Sequence, residues 1–170
     1  MQDIEAFTAG AVVSGAVARV GGLRDGLDRF PFLEVDGATS FALAGGTTER
    51  RSNLRLDMDD VLILCPESAE LPVHASWHFV ELTLGPFLVS GELPTLPGFD
   101  PGRALARPGG SFITLRDVRV DLVDHPEGGR VERPHALVNR YAVEGVGADI
   151  DLGYFFPGAR FHALVSGRSA

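Results

Sequence analysis

Laid over itself, the chain matches its own second half. Ile4-Glu5 falls on Val80-Glu81, and Val13-Ser14-Gly15 on Val89-Ser90-Gly91, both at an offset of 76 (4 to 80, 13 to 89). Gly22 and Gly26 then meet Gly98 and Gly102. After a four-residue insertion in the second copy, residues 31–38 (PFLEVDGA) lie on 111–118 (SFITLRDV), with Phe32 over Phe112 and Val35 over Leu115. Two residues more bring Leu56-Asp57 over Val138-Asn139 and Val61 over Val143. The order of the matches never breaks. Ordered self-similarity marks a module used twice, and a unit of about 70 residues has room for five short strands. The expected organisation is a first unit over 1–68, a second over 73–148 and a C-terminal extension over 149–170. The polar stretch between Pro66 and Pro72 is the boundary.

The units read as all-β. With 21 Gly and 11 Pro distributed along the chain, long helices are disfavoured, since each costs about 1 or about 3 kcal/mol in a helix interior. Strands rich in Val, Leu, Ile and Phe are expected over 11–17, 32–43, 61–65, 79–84, 87–93, 111–122 and 141–146. One or two helical turns are expected within 22–30. Gly15 and Gly91 sit inside apolar strands, where a missing Cβ permits a sharp bend or a close crossing. In the long strand 111–122, Ile113 and Leu115 have one parity and Val118, Val120 and Leu122 the other. A two-residue alternation changes phase only at a bulge or bend, which places one at Arg116-Asp117, over Asp36-Gly37 of the first copy. Strong bending lets a sheet of few strands close, so the expected fold is two tandem small, strongly bent β-barrels.

Residues 85–93 (GPFLVSGEL), 113–120 (ITLRDVRV) and 136–146 (ALVNRYAVEGV) together resemble the two-part signature of Sm-like small barrels, within the wider SH3-like group. The resemblance implies a five-stranded bent barrel that joins its neighbours through edge strands, so that two linked copies could place six barrels in a trimer. It departs from the family where RNA is bound. Leu115-Arg116-Asp117 stands near the Asp-x-Asn position, Asn139-Arg140-Tyr141 replaces the Arg-Gly, and the first copy has Asp57-Met58-Asp59-Asp60 at that corner, which repels phosphate.

Charge argues the same way. Fifteen Lys plus Arg against 23 Asp plus Glu leave a net charge of -8, unfavourable for nucleic acid and for anionic membranes. The N-terminal MQDIEAFTAG lacks the basic and apolar regions of a secretory signal, and no run reaches the roughly 18 apolar residues of a membrane span. A cytoplasmic location is the expectation. Cys65, the single cysteine, lies in the apolar run VLILCP and is expected to be a buried, inert thiol.

No catalytic constellation is legible: there is no phosphate-binding loop, nucleophile elbow or Ser/Cys beside a His. An enzyme is not expected, nor is a cofactor. Asp57, Asp59 and Asp60 lack the turn glycine and distal glutamate of a Ca²⁺ loop. His74 and His78 have no further ligand to complete a tetrahedral set, so no metal is expected. Arg50-Arg51 with Arg55 resembles the arginine motif of PilZ domains, but of that family's Asp-x-Ser-x-x-Gly strand only Val-Ser-Gly follows. The arginines read as loop partners of the acidic turn. The extension concentrates Tyr154, Phe155, Phe156 and Phe161, suited either to a protein interface or to capping the second unit. Three functions remain open. The first is a non-catalytic scaffold or accessory subunit that self-assembles or docks with other protein subunits. The second is a small-ligand or nucleotide-binding module in a cleft between the units, with Arg50, Arg51, Arg55 and Arg140 as anion contacts. The third is an Sm-like RNA-binding ring.

Overall fold

The computed structural model describes residues 1–18, 27–98, 110–124 and 129–164. Gly22, Gly26 and Gly102, and most of the helical expectation for 22–30, lie outside them. Leu27 is helical, and the other regular elements among the described residues are strands: β1 (Gln2–Thr8), β2 (Ala11–Val17), β3 (Phe32–Ala42), β4 (Thr48–Asp57), β5 (Val61–Pro66), β6 (Ser76–Leu84), β7 (Phe87–Thr95), β8 (Phe112–Leu122), β9 (Val131–Asn139), β10 (Gly145–Ala148) and β11 (Arg160–Ala163). No helix of the described residues is long and apolar enough to cross a membrane.

The strands form one sheet in the order β11-β10-β6-β7-β8-β9-β5-β1-β2-β3-β4. It contains the same motif twice. Residues 2–66 run β5-β1-β2-β3-β4, and residues 76–148 run β10-β6-β7-β8-β9. The register repeats as well. Ile4 pairs with Gly15 and Val80 with Gly91; Leu33 pairs with Leu56 and Ile113 with Val138; Ala6 pairs with Leu64 and Leu82 with Val146. The offsets of 76, 80 and 82 in these pairs (4 to 80, 33 to 113, 56 to 138) are those of the self-match in the sequence.

The expected bend lies where the change of parity puts it, in both copies. Pairing slips by one residue between Ser14 and Ala16 opposite β3, and between Ser90 and Glu92 opposite β8. Across from the slip, Gly37 and Asp117 both have left-handed backbones, with φ of 59° and 51°. A residue of that conformation turns the strand so that Val35 and Ala38, three apart, are both buried in one core, as are Leu115 and Val118 in the other. The glycine on the facing strand makes room. A Cβ at Gly15 would stand 2.5 Å from Val35 Cγ1 and 2.8 Å from the Asp36 carbonyl, and at Gly91 3.0 Å from the Arg116 carbonyl.

Two cores result, filled from matching positions. Ile4, Ala6, Val13, Val17, Leu56 and Leu64 belong to the first, and Val80, Leu82, Val89, Leu93, Val138 and Val146 to the second. The sheet does not close around either one. It has two ends, β11 and β4, and the units are fused edge to edge where β5 pairs with β9, Ile63 opposite Val138 and Leu64 opposite Leu137. Strand β5 is therefore buried throughout. It sends Val61 and Leu64 into the first core and Leu62, Ile63 and Cys65 into the second, while Phe112 and Leu137 cross from the second unit into the first core. Residues 67–75, between β5 and β6, carry no strand and are mostly exposed.

The C-terminal extension lies on its own second unit. Leu152, Phe155 and Phe156 are buried in the second core, and β11 pairs parallel with β10, Gly145 opposite Arg160 and Val146 opposite Phe161.

Candidate functional site

An unpaired strand edge is a row of backbone donors and acceptors awaiting a partner, and a fold covers or disguises it unless it is used. Here one end of the sheet is the short β11, four residues laid over β10. The other end is β4, ten residues long and, among the described residues, paired only with β3. Of its side chains only Leu56 is buried, with Leu54 packed partly against the first core. Arg50, Arg51 and Arg55 all lie on it. The expectation of a loop here is corrected: TERRSNLRLD is an edge strand, and its arginines are not partners of the acidic turn. Arg51 donates to Glu49 Oε2 at 2.9 Å, and the Arg55 guanidinium lies 3.4 Å from the centroid of the Phe32 ring.

What β4 has become is clearest beside β9, its counterpart in the second unit, whose corresponding edge is occupied by β5. At β9, Arg133 reaches past the joint to β1 and donates to Glu5 Oε2 from Nη2 at 2.7 Å and from Nε at 3.1 Å. Leu137 is buried in the first core. Asn139 donates from Nδ2 to the Val61 carbonyl at 3.2 Å while its Oδ1 accepts from the Tyr141 amide at 3.1 Å. The same three positions of β4, 82 residues earlier (133 to 51, 137 to 55, 139 to 57), hold Arg51, Arg55 and Asp57. The arginine is the same, a second arginine stands where the leucine is buried, and a carboxylate where the amide donates. Asp57 retains the local turn, accepting from the Asp59 amide at 3.2 Å, but has no proton to offer a neighbouring carbonyl.

Arg140 stands apart from the other three arginines. It follows β9, is 5% exposed, packs 5.1 Å from the Tyr141 ring centroid and donates to the Tyr154 carbonyl at 3.3 Å. Of the extension's aromatics, Phe155 and Phe156 are consumed by the chain's own core, whereas Tyr154 and Phe161 are 52% and 41% exposed.

Among the described residues, clefts lie between the units at two places. One, of about 330 Å³, has Phe7 and Phe87 in edge-to-face contact, with centroids 5.5 Å apart, and is walled by Val12, Phe41, Leu43, Val120, Leu122 and Val131. Its carboxylates are already paired: Glu5 with Arg133, and Asp121 with Arg119 at 2.7 Å and Arg130 at 3.3 Å. The other, of about 490 Å³, brings together the two corners singled out by the Sm-like resemblance, Met58 and Asp59 from the first unit with Asn139 and Tyr141 from the second. Asp28 bridges its sides, accepting from the Ser111 amide at 2.7 Å. None of Arg50, Arg51, Arg55 or Arg140 lines either cleft.

His78 Nε2 is 3.0 Å from Thr95 Oγ1, and His74 is exposed between the units. Cys65 is buried; that burial, with Glu5 nearby adding to it and Arg133 opposing, pushes its thiol up to about 12, so it carries almost no nucleophilic thiolate at neutral pH. Compared with protein-family models, with curated proteins and with solved structures, the chain matches none.

Proposed function

We propose that this chain is a non-catalytic structural or accessory subunit, two tandem small, strongly bent barrels of Sm-like type, each left open in the shared sheet, fused by duplication, which docks in a larger assembly through the edge of β4. The observation that carries this reading is the inequality of the sheet's ends. Among the described residues, β11 leaves four residues of edge unpaired at one end, while β4 leaves ten at the other. Strand addition to such an edge is a common mode of protein docking. The strand order, repeated register and matched bends support the barrel reading. The exchange of Leu137 and Asn139 for Arg55 and Asp57 favours a foreign partner over a ring of identical chains, because a second copy's β10 lies under its own β11 and Asp57 repels a carbonyl where Asn139 binds one.

The test is the mass of the native protein by size-exclusion chromatography with light scattering, at the concentration found in its cells. The reading expects a particle heavier than the 18.1 kDa chain; a monomer under those conditions overturns it. A second reading has one observation in its favour, the apolar cleft between the units. It makes the chain a carrier of a small apolar ligand rather than of a nucleotide. Thermal-shift measurements with medium-chain alcohols and with nucleotides separate the two, since only a ligand that binds the folded chain raises its Tm.

A further inference from the structure

The repeat shows what a strand laid on β4 has to carry, because the same edge in the second unit is filled. On β9 the occupant is β5, antiparallel, with Leu64 opposite Leu137, and Arg133 answers a carboxylate, Glu5, one strand further on. Moved to β4, this joint keeps its arginine as Arg51 but replaces the leucine with Arg55. A strand with Leu opposite Arg55 would bury a guanidinium against hydrocarbon, at considerable cost. A carboxylate there would form a charge-assisted pair instead. Arg50 adds a third cation on the strand, against two carboxylates, Asp57 and the Glu49 that pairs with Arg51, in a chain whose net charge is -8. Opposite Asp57, a donor is needed where Val61 presents a carbonyl to Asn139.

We propose that the partner of β4 is an extended acidic segment of another protein, added antiparallel to the sheet, with Asp or Glu side chains facing Arg51 and Arg55. This rests on the docking reading above and names its chemistry. The pairing is strand to strand, so affinity comes from backbone hydrogen bonds and selection from charge.

The test uses the full chain and an eight-residue alternating Glu-Val peptide, with an alternating Lys-Val peptide as its counterpart. Affinity is read by fluorescence anisotropy and location by amide hydrogen exchange. The Glu-Val peptide is expected to bind and to slow exchange over 48–57, and the Lys-Val peptide to bind at least about tenfold more weakly. Arg51→Glu/Arg55→Glu inverts the preference, while Arg51→Lys/Arg55→Lys preserves it; β4 is exposed, and circular dichroism verifies that both variants fold. Equal binding of both peptides, no binding of either, or binding without protection of β4 overturns the proposal. A heavy native particle whose mass survives the Glu substitutions also overturns it while leaving the docking reading standing, whereas a native monomer removes that reading itself.

Discussion

Asn139 donates its side-chain amide to the main-chain oxygen of Val61 across the seam between the units, at 3.2 Å, and is buried there. Its counterpart Asp57, at the free end of the sheet, makes the same turn with its other side-chain atom but has nothing to donate. One oxygen in place of one nitrogen distinguishes a filled joint from an open one.

Asn139→Asp therefore places the chemistry of the open end at the seam. The lost donor and the carboxylate facing a carbonyl are expected to cost about 1–3 kcal/mol at pH 7. Burial beside a carbonyl raises the pKa of the new carboxyl, so the loss is present above that pKa and recovers as acid protonates the group and restores a donor. Urea unfolding of the variant and parent at pH 7 and pH 4 checks the sign: the gap between them narrows on acidification.

The two strand glycines are not equally tight. At Gly15 an added methyl meets Val35 Cγ1 at 2.5 Å and a carbonyl at 2.8 Å, whereas at Gly91 its nearest neighbour is a carbonyl at 3.0 Å. Gly15→Ala is expected to destabilise by about 1–3 kcal/mol, the range for overpacking, and Gly91→Ala by less. Thermal unfolding of the two variants ranks them.

Much of this was legible in the residues before the fold was known. The glycines and the parity change of 111–122 carry the alignment, because a closely crossed strand and a left-handed bend each leave a mark that composition alone does not. The strands β4 and β9 were not legible as strands. On an edge, β4 has solvent on most of its surface, so only Leu54 and Leu56 keep an apolar pattern; in β9, Val131-Glu-Arg-Pro-His interrupts it. The continuous apolar run of β5 announces burial on both faces but not that a second unit covers one of them. The significance of Arg51, Arg55 and Asp57 emerges only when β4 is set against an occupied counterpart. Arg140, directly after β9 in the middle of the sheet, shares only its residue type with them, and space separates it.

Because β5, Phe112 and Leu137 each belong to the core of the other unit or of both, the two units are expected to unfold together. Trp77, the single tryptophan, lies on β6 in the second unit, with Arg116 stacked 3.9 Å from its ring. Its fluorescence and far-ultraviolet circular dichroism are expected to trace one coincident denaturant transition. Two separated transitions would show that the seam contributes little.

The buried thiol sets a limit at high pH. Cys65 stays protonated in the folded chain up to about 12, against 9.0 for an unburied thiol. Its contribution to stability is thus complete below pH 9 and is lost as pH rises towards 12, by at most about 1.4 kcal/mol per unit. Denaturant unfolding between pH 8 and 11 is expected to show a shallower alkaline decline in Cys65→Ala than in the parent.

The central claim is that β4 is the docking edge, and amide hydrogen exchange tests it in the assembled protein. In the native assembly, amides over 48–57 are expected to exchange more slowly than in the isolated chain, with those of β11, 160–163, unchanged. Equal rates over 48–57 in the two states, or protection that appears at β11 instead, would contradict it.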